Sequence, residues 1–77
     1  MSDANADLER EIQARVVDAL RGRPDFLKIM WEDVGVVVGT NIVLLKLHPR
    51  YHAYTNTARA VLFGTMEQMG VELWHLL

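Results

Sequence analysis

The stretch Val34–Leu47, VGVVVGTNIVLLKL, limits what this chain can fold into more than any other, because Lys46 is its one charged residue. Val and Ile are β-branched and suit the pleated, half-buried surface of a sheet. A surface helix would need apolar residues three and four apart with polar residues between them, and that stripe is absent. Gly39-Thr40-Asn41 interrupts the run with turn formers. The pattern predicts two strands, Val36–Val38 and Ile42–Leu47, joined by that turn. One long strand bulged at Gly39 is the alternative. The run is too short and too interrupted to cross a bilayer, which takes about 20 apolar residues, so no membrane association is expected.

Period two puts Val43, Leu45 and Leu47 on one face of the second strand and Ile42 and Leu44 on the other. A sheet with one wet face would alternate apolar and polar residues. Here both faces are apolar near the middle. Each needs a cover.

Seventy-seven residues predict one small domain over the whole chain, 1–77. A composition 51% hydrophobic and 23% charged points to a globular chain. A core of this size yields about 3–5 kcal/mol, and small domains commonly add disulfides, metals or self-association. Cysteine is absent, which excludes disulfides and thiolate zinc sites and leaves self-association as the expected support. A cysteine-free chain is compatible with the cytoplasm, the location expected here. The net charge of −2 and pI near 5.8 argue against coating nucleic acid through an overall positive field. The acidic, polar opening MSDANADLERE is unlike a secretory signal.

Met1–Ala6 reads as a frayed lead-in, followed by an amphipathic helix over Asp7–Arg21 with Leu8, Ile12, Val16, Ala19 and Leu20 at helical spacing. Asn5 or Asp3 is its expected cap, Glu11 and Arg15 its i,i+4 pair, and Gly22 and Pro24 its stop. Phe26–Glu32 alternates Leu27, Ile29 and Trp31 against Phe26, Lys28 and Met30, which predicts a further strand and an antiparallel meander. His48-Pro49 ends the sheet, and Arg50–Tyr54 fits either a loop or a first helical turn. Asn56–Met69 reads as a second helix, capped by Thr55 or Asn56 and closed by Gly70, with Ala58, Val61, Leu62, Thr65, Met66 and Met69 along one face. Met66, Met69 and Phe63 are assigned to the core. Val71–Leu76 alternates as a final strand.

The expected fold class is therefore α+β, two-layer: helix, antiparallel hairpin or three-strand meander, helix, C-terminal strand. The order resembles that of small BolA-like and type II KH-like domains. The first helix, DLEREIQARVVDALRG, resembles the opening of a BON domain. A GXXG loop is absent, and neither resemblance assigns a role to any residue.

Two helices cover one face of such a sheet, so the other calls for a partner. Trp31, Ile42, Leu44, Trp74 and Leu76 are the candidate interface residues for a homodimer or another protein. No acid lies between Val34 and Met66, whereas Lys46, His48, Arg50, His52 and Arg59 do, with Tyr51 and Tyr54 among them. Lys46, Arg50, His52, Tyr54 and Arg59 are thus the candidate contacts for a phosphate or nucleic acid, against the simpler reading of a solvated loop. His48 and His52 have the i,i+4 spacing of metal ligands, but Pro49 stands between them. The hydroxyls carry no nucleophile motif, and Gly35–Gly39 lacks the lysine and helix start of a phosphate loop. No catalytic, cofactor-binding or metal residue is assigned, and no cofactor is expected. The sequence points to a small non-enzymatic regulator, adaptor or viral accessory factor acting as a homo-oligomer. Nucleic-acid or phosphate binding through Lys46–Arg59 is the alternative.

Overall fold

The structure is a computed structural model that describes residues 4–26, 28–71 and 75–76. Helix α1 spans Ala4–Arg21. Its Ile12, Val16 and Leu20 recur every fourth residue and are fully buried, with Leu8 packed beside them. The opposite, solvated face carries the ion pairs Arg10–Asp7 and Arg15–Glu11, the second at 3.0 Å. The helix starts earlier than expected. Ala4–Ala6 is helical rather than frayed, and Asn5 lies inside the helix instead of capping it, because alanine has the strongest helix propensity. Asp3 lies outside the described residues. The N–H groups of Gly22 and Arg23 close the last turn onto the Ala19 and Leu20 carbonyls at 3.3 and 3.0 Å, and Pro24 follows.

The meander strand expected over Phe26–Glu32 does not form among the described residues. Two 3-10 turns, Pro24–Phe26 and Trp31–Asp33, flank the segment. The N–H groups of Phe26, Ile29 and Asp33 bond three residues back, to Arg23, Phe26 and Met30. The N–H of Met30 donates to the Tyr51 hydroxyl at 3.1 Å. These bonds use donors that a ladder would need. Phe26 and Ile29, three apart, are the buried anchors, whereas Met30 is exposed.

Strands β1 (Val34–Val38) and β2 (Ile42–Leu47) form the expected hairpin, antiparallel and in the register Val34↔Leu47 through Val38↔Val43. At the turn, the Gly39 N–H donates to the Ile42 carbonyl at 2.8 Å. A Cβ on Gly39 would lie 2.9 Å from Ile42 Cγ2, so the side chain of Ile42 folds into space that only glycine leaves.

Two 3-10 turns over Pro49–Tyr54, kinked at Tyr51 (φ −108°, ψ 21°), resolve the ambiguity over Arg50–Tyr54 and run directly into α2 (Thr55–Gln68). That continuity moves the N-cap from the expected Thr55 or Asn56 to Tyr54, which makes no side-chain cap bond. The Thr55 N–H is already taken by the His52 carbonyl. Ala58, Leu62, Thr65 and Met66 are buried along the expected stripe. Phe63 is not in the core: at 58% exposure it points to solvent, one position off that stripe. Gly70, at φ +74°, closes the helix while the Val71 N–H reaches back to the Met66 carbonyl at 2.9 Å. Of the final strand expected over Val71–Leu76, residues 72–74 lie outside the description. His75–Leu76 (β3) pairs in parallel with Ile42 and Val43.

The result is an α+β arrangement with both helices on one side of the hairpin. Val34, Val36, Val38 and Val43 join α1, Phe26, Ile29, Leu62 and Met66 in one core, with Leu45 and Leu47 packed at its margin. Antiparallel alternation turns the backbone groups of Val34, Val36 and Val38 away from β2, toward an open edge. α1 covers that edge with side chains. Gln13 Nε2 donates to the Val34 carbonyl, and the Val38 N–H donates to Glu9 Oε2, both at 2.9 Å. Glu9 and Gln13 are one helical turn apart, so a single face of α1 clasps both ends of β1.

Candidate interaction face

The register that buries Val34, Val36 and Val38 puts Gly35 and Val37 on the opposite face, alongside Lys46, Leu44 and Ile42. The packed helices lie on the other side. Val37 is 38% exposed, Ile42 and Leu44 are half-buried, and Lys46 is exposed. Cross-strand partners stand together here: Val37 with Leu44, and Gly35 with Lys46. The face thus divides along its length. Val37, Leu44 and Ile42 make an apolar ridge toward the turn. Beyond it lies an open groove of about 500 Å³ lined by Glu32, Asp33, Gly35, Leu45, Lys46, Leu47 and His48. Gly35 contributes no side chain, so the groove cuts into the sheet between the ridge and the acids of the Trp31–Asp33 turn.

Of the five residues assigned to an interface, the structure brings Ile42 and Leu44 together on this face. Trp31 stands elsewhere. It packs against the core, and the Arg21 guanidinium carbon lies 5.2 Å from its ring centroid. Trp74 lies outside the described residues, and Leu76 is placed only by its backbone pairing with Val43. Sequence reasoning passed over Gly35 and Val37. Counting alternate residues from Leu44 through a two-residue turn would have found them.

The cationic residues do not converge. Lys46 lines the groove next to Glu32 and Asp33, so both signs meet there. Arg50 is engaged locally: its backbone N–H and Nε both donate to His48 Nδ1 at 3.1 Å, and Nε lies 3.8 Å from Asp33 Oδ2. Tyr54 is half-buried with its ring centroid 5.1 Å from that of Phe26. His52 and Arg59 are exposed, on the 3-10 segment and on α2. A second open groove, of about 430 Å³, brings Arg23 beside Asn56, Thr57, Ala60 and Val61 at the start of α2. Among the described residues no three His, Asp or Glu side chains are grouped to hold a metal, and no helix is long and apolar enough to cross a membrane. No protein-family model matches the chain, and neither a curated protein nor a solved structure matches it.

Proposed function

We propose that this chain is a small non-enzymatic interaction protein that works as a homodimer through the outer face of its sheet, regulating or adapting another macromolecule. The observation that carries the reading is the apolar ridge Val37, Leu44 and Ile42 on the face opposite both helices. Aliphatic side chains left half in water on a chain with a small core favour association. In this reading the C-terminal segment supplies a third strand beside β2 and extends the face. A cytoplasmic location goes with it on the strength of the cysteine-free sequence alone.

The test is solution mass by light scattering across concentration, with Val37→Lys as the control. Three aliphatic side chains make a small patch, so the expected dimer is weak, with a Kd on the order of 10–100 μM. The wild type should rise toward twice the chain mass with concentration while Val37→Lys stays at one. A wild type that remains at one chain mass up to about 1 mM refutes the reading, since that is at least ten times the expected Kd.

Nucleic-acid or phosphate binding through Lys46, Arg50, His52, Tyr54 and Arg59 is the second reading. It is supported by the acid-free run and weakened by Asp33 and Glu32 beside Lys46. It predicts salt-sensitive retention on heparin that Arg50→Gln with Arg59→Gln abolishes. Absence of retention removes it.

A further inference from the structure

Where β2 ends, the next turn is capped by a histidine. Pro49 has no N–H, so the first donor of the Pro49–Tyr54 segment that needs an acceptor belongs to Arg50. His48 Nδ1 accepts it at 3.1 Å, and accepts the Arg50 Nε–H at 3.1 Å as well. An imidazole nitrogen accepts only while it carries no proton, so both bonds require the neutral ring with its hydrogen on Nε2. Serine, asparagine and aspartate are the usual caps. None of them loses its acceptor between about pH 5 and 8, whereas histidine does.

Arg50 also has a second acceptor within reach. Its Nε lies 3.8 Å from Oδ2 of Asp33, a side chain only 18% exposed on the Trp31–Asp33 turn. The backbone fixes the two acceptors relative to each other, since the His48 N–H donates to the Asp33 carbonyl at 3.0 Å. Arg50 thus stands between an imidazole and a carboxylate.

We propose that His48 is a proton-operated latch: neutral, it caps the Pro49–Tyr54 segment and holds Arg50; protonated, it frees the Arg50 N–H and passes the guanidinium to Asp33. The charged groups around the ring act in both directions. Arg50 and, in the shared groove, Lys46 oppose a further cation, whereas Asp33 and Glu32 on the facing turn favour one. Tyr51 stands edge-on to the ring, 6.4 Å between centroids. The two Arg50 bonds survive only without the proton, so they are complete near pH 8 and lost as pH falls toward about 5. Release is felt beyond the ring. The Tyr51 N–H donates to the His48 carbonyl at 2.9 Å, and the Tyr51 hydroxyl accepts the Met30 N–H, so this turn ties the end of β2 to the segment before β1. Protonation also changes the groove that His48 lines: two acids against one lysine become two acids against two cations.

The latch works within a single chain, so its test does not depend on self-association. Exchange of the Arg50 amide, followed by NMR and corrected for the intrinsic rate, should lose about fivefold in protection between about pH 8 and about pH 5, the usual contribution of a side-chain cap. An Arg50 amide that is unprotected near pH 8, or equally protected near pH 5, overturns the proposal. His48→Asn keeps an acceptor for the Arg50 N–H throughout that range, and His52 and His75 are common to both chains. On acidification the urea-unfolding constant of the wild type should therefore rise about fivefold more than that of His48→Asn. Equal pH dependence in the two chains overturns the latch, as does a wild type that gains stability in acid relative to His48→Asn. If His48→Asn does not fold, the exchange of Arg50 in the wild type decides alone.

Discussion

Glu9 and Gln13 close the free edge of β1, and removing them tests whether that clasp holds the sheet on the helix. The Val38 N–H donates to an ionised carboxylate, a bond worth about 1.5–3 kcal/mol, whereas the Gln13–Val34 bond is neutral, worth about 1 kcal/mol. Replacement by alanine returns a few tenths of a kcal/mol in helix propensity. The net cost is then about 2 kcal/mol for Glu9→Ala and about 1 kcal/mol for Gln13→Ala. At about 2.1 cal/mol/K per residue, unfolding 77 residues carries about 160 cal/mol/K, so each kcal/mol lowers Tm by about 6 °C. Glu9→Ala should melt about 12 °C lower and Gln13→Ala about 6 °C lower, followed by far-ultraviolet circular dichroism. The control is Glu11→Ala, which gains the same propensity but loses only the exposed pair with Arg15, worth at most about 0.5 kcal/mol before that gain, so it should melt within about 3 °C of the wild type. With the edge bare, Glu9→Ala should also scatter light on heating before the wild type does. A Glu9→Ala variant that melts within the range of the Glu11→Ala control would refute the clasp.

Three further substitutions bear on how the rest of the chain holds the hairpin. Phe26→Ala empties a fully buried site in contact with Tyr54. A loss of about 3–5 kcal/mol matches the whole expected stability of a chain this small, so its thermal transition should lose cooperativity. Gly70→Ala forces a side chain onto φ +74° and should cost about 1 kcal/mol, read as a Tm about 6 °C lower. Tyr51→Phe removes the acceptor of the Met30 N–H and should cost about 1 kcal/mol in urea-unfolding free energy with an unchanged m-value.

The hairpin was legible because its signals agree. A β-branched run, a central Gly-Thr-Asn and a terminal His-Pro all point to the same two strands. Phe26–Glu32 misled because apolar residues at 26, 27, 29, 30 and 31 satisfy periods of two and of three equally well. What decided it was Pro24 opening a 3-10 turn, and backbone donors already taken by neighbours three residues back. Phe63 shows the limit of a helical stripe: one residue from buried Leu62 is a rotation of about 100°, enough to carry the ring to solvent. The outer face of the hairpin was half legible. Period two alone separated Ile42 and Leu44 from the core face, but Gly35 and Val37 join them only through the cross-strand register. Trp31 was assigned to the uncovered sheet face from the strand expected over Phe26–Glu32, whereas it opens a 3-10 turn. Its ring is instead taken by the core and the Arg21 guanidinium, a contact between segments ten residues apart that no local pattern announces.

The clasp also bears on the kind of association open to this protein. A two-strand antiparallel hairpin has two routes to a partner, through its edges or through its faces. On the β1 side, the carboxylate of Glu9 and the amide of Gln13 occupy the positions a neighbouring strand would use at Val38 and Val34. On the β2 side, His75–Leu76 already pairs with Ile42 and Val43. Edge addition to β2 centred on Lys46 would set two lysines directly opposite each other, which is unfavourable. The faces are managed differently. One is filled by helices, and among the described residues the other keeps Val37, Ile42 and Leu44 beside an open groove at Gly35. For the proposed homodimer, a closed β1 edge and a ridge half in water among the described residues leave the face as the route of association.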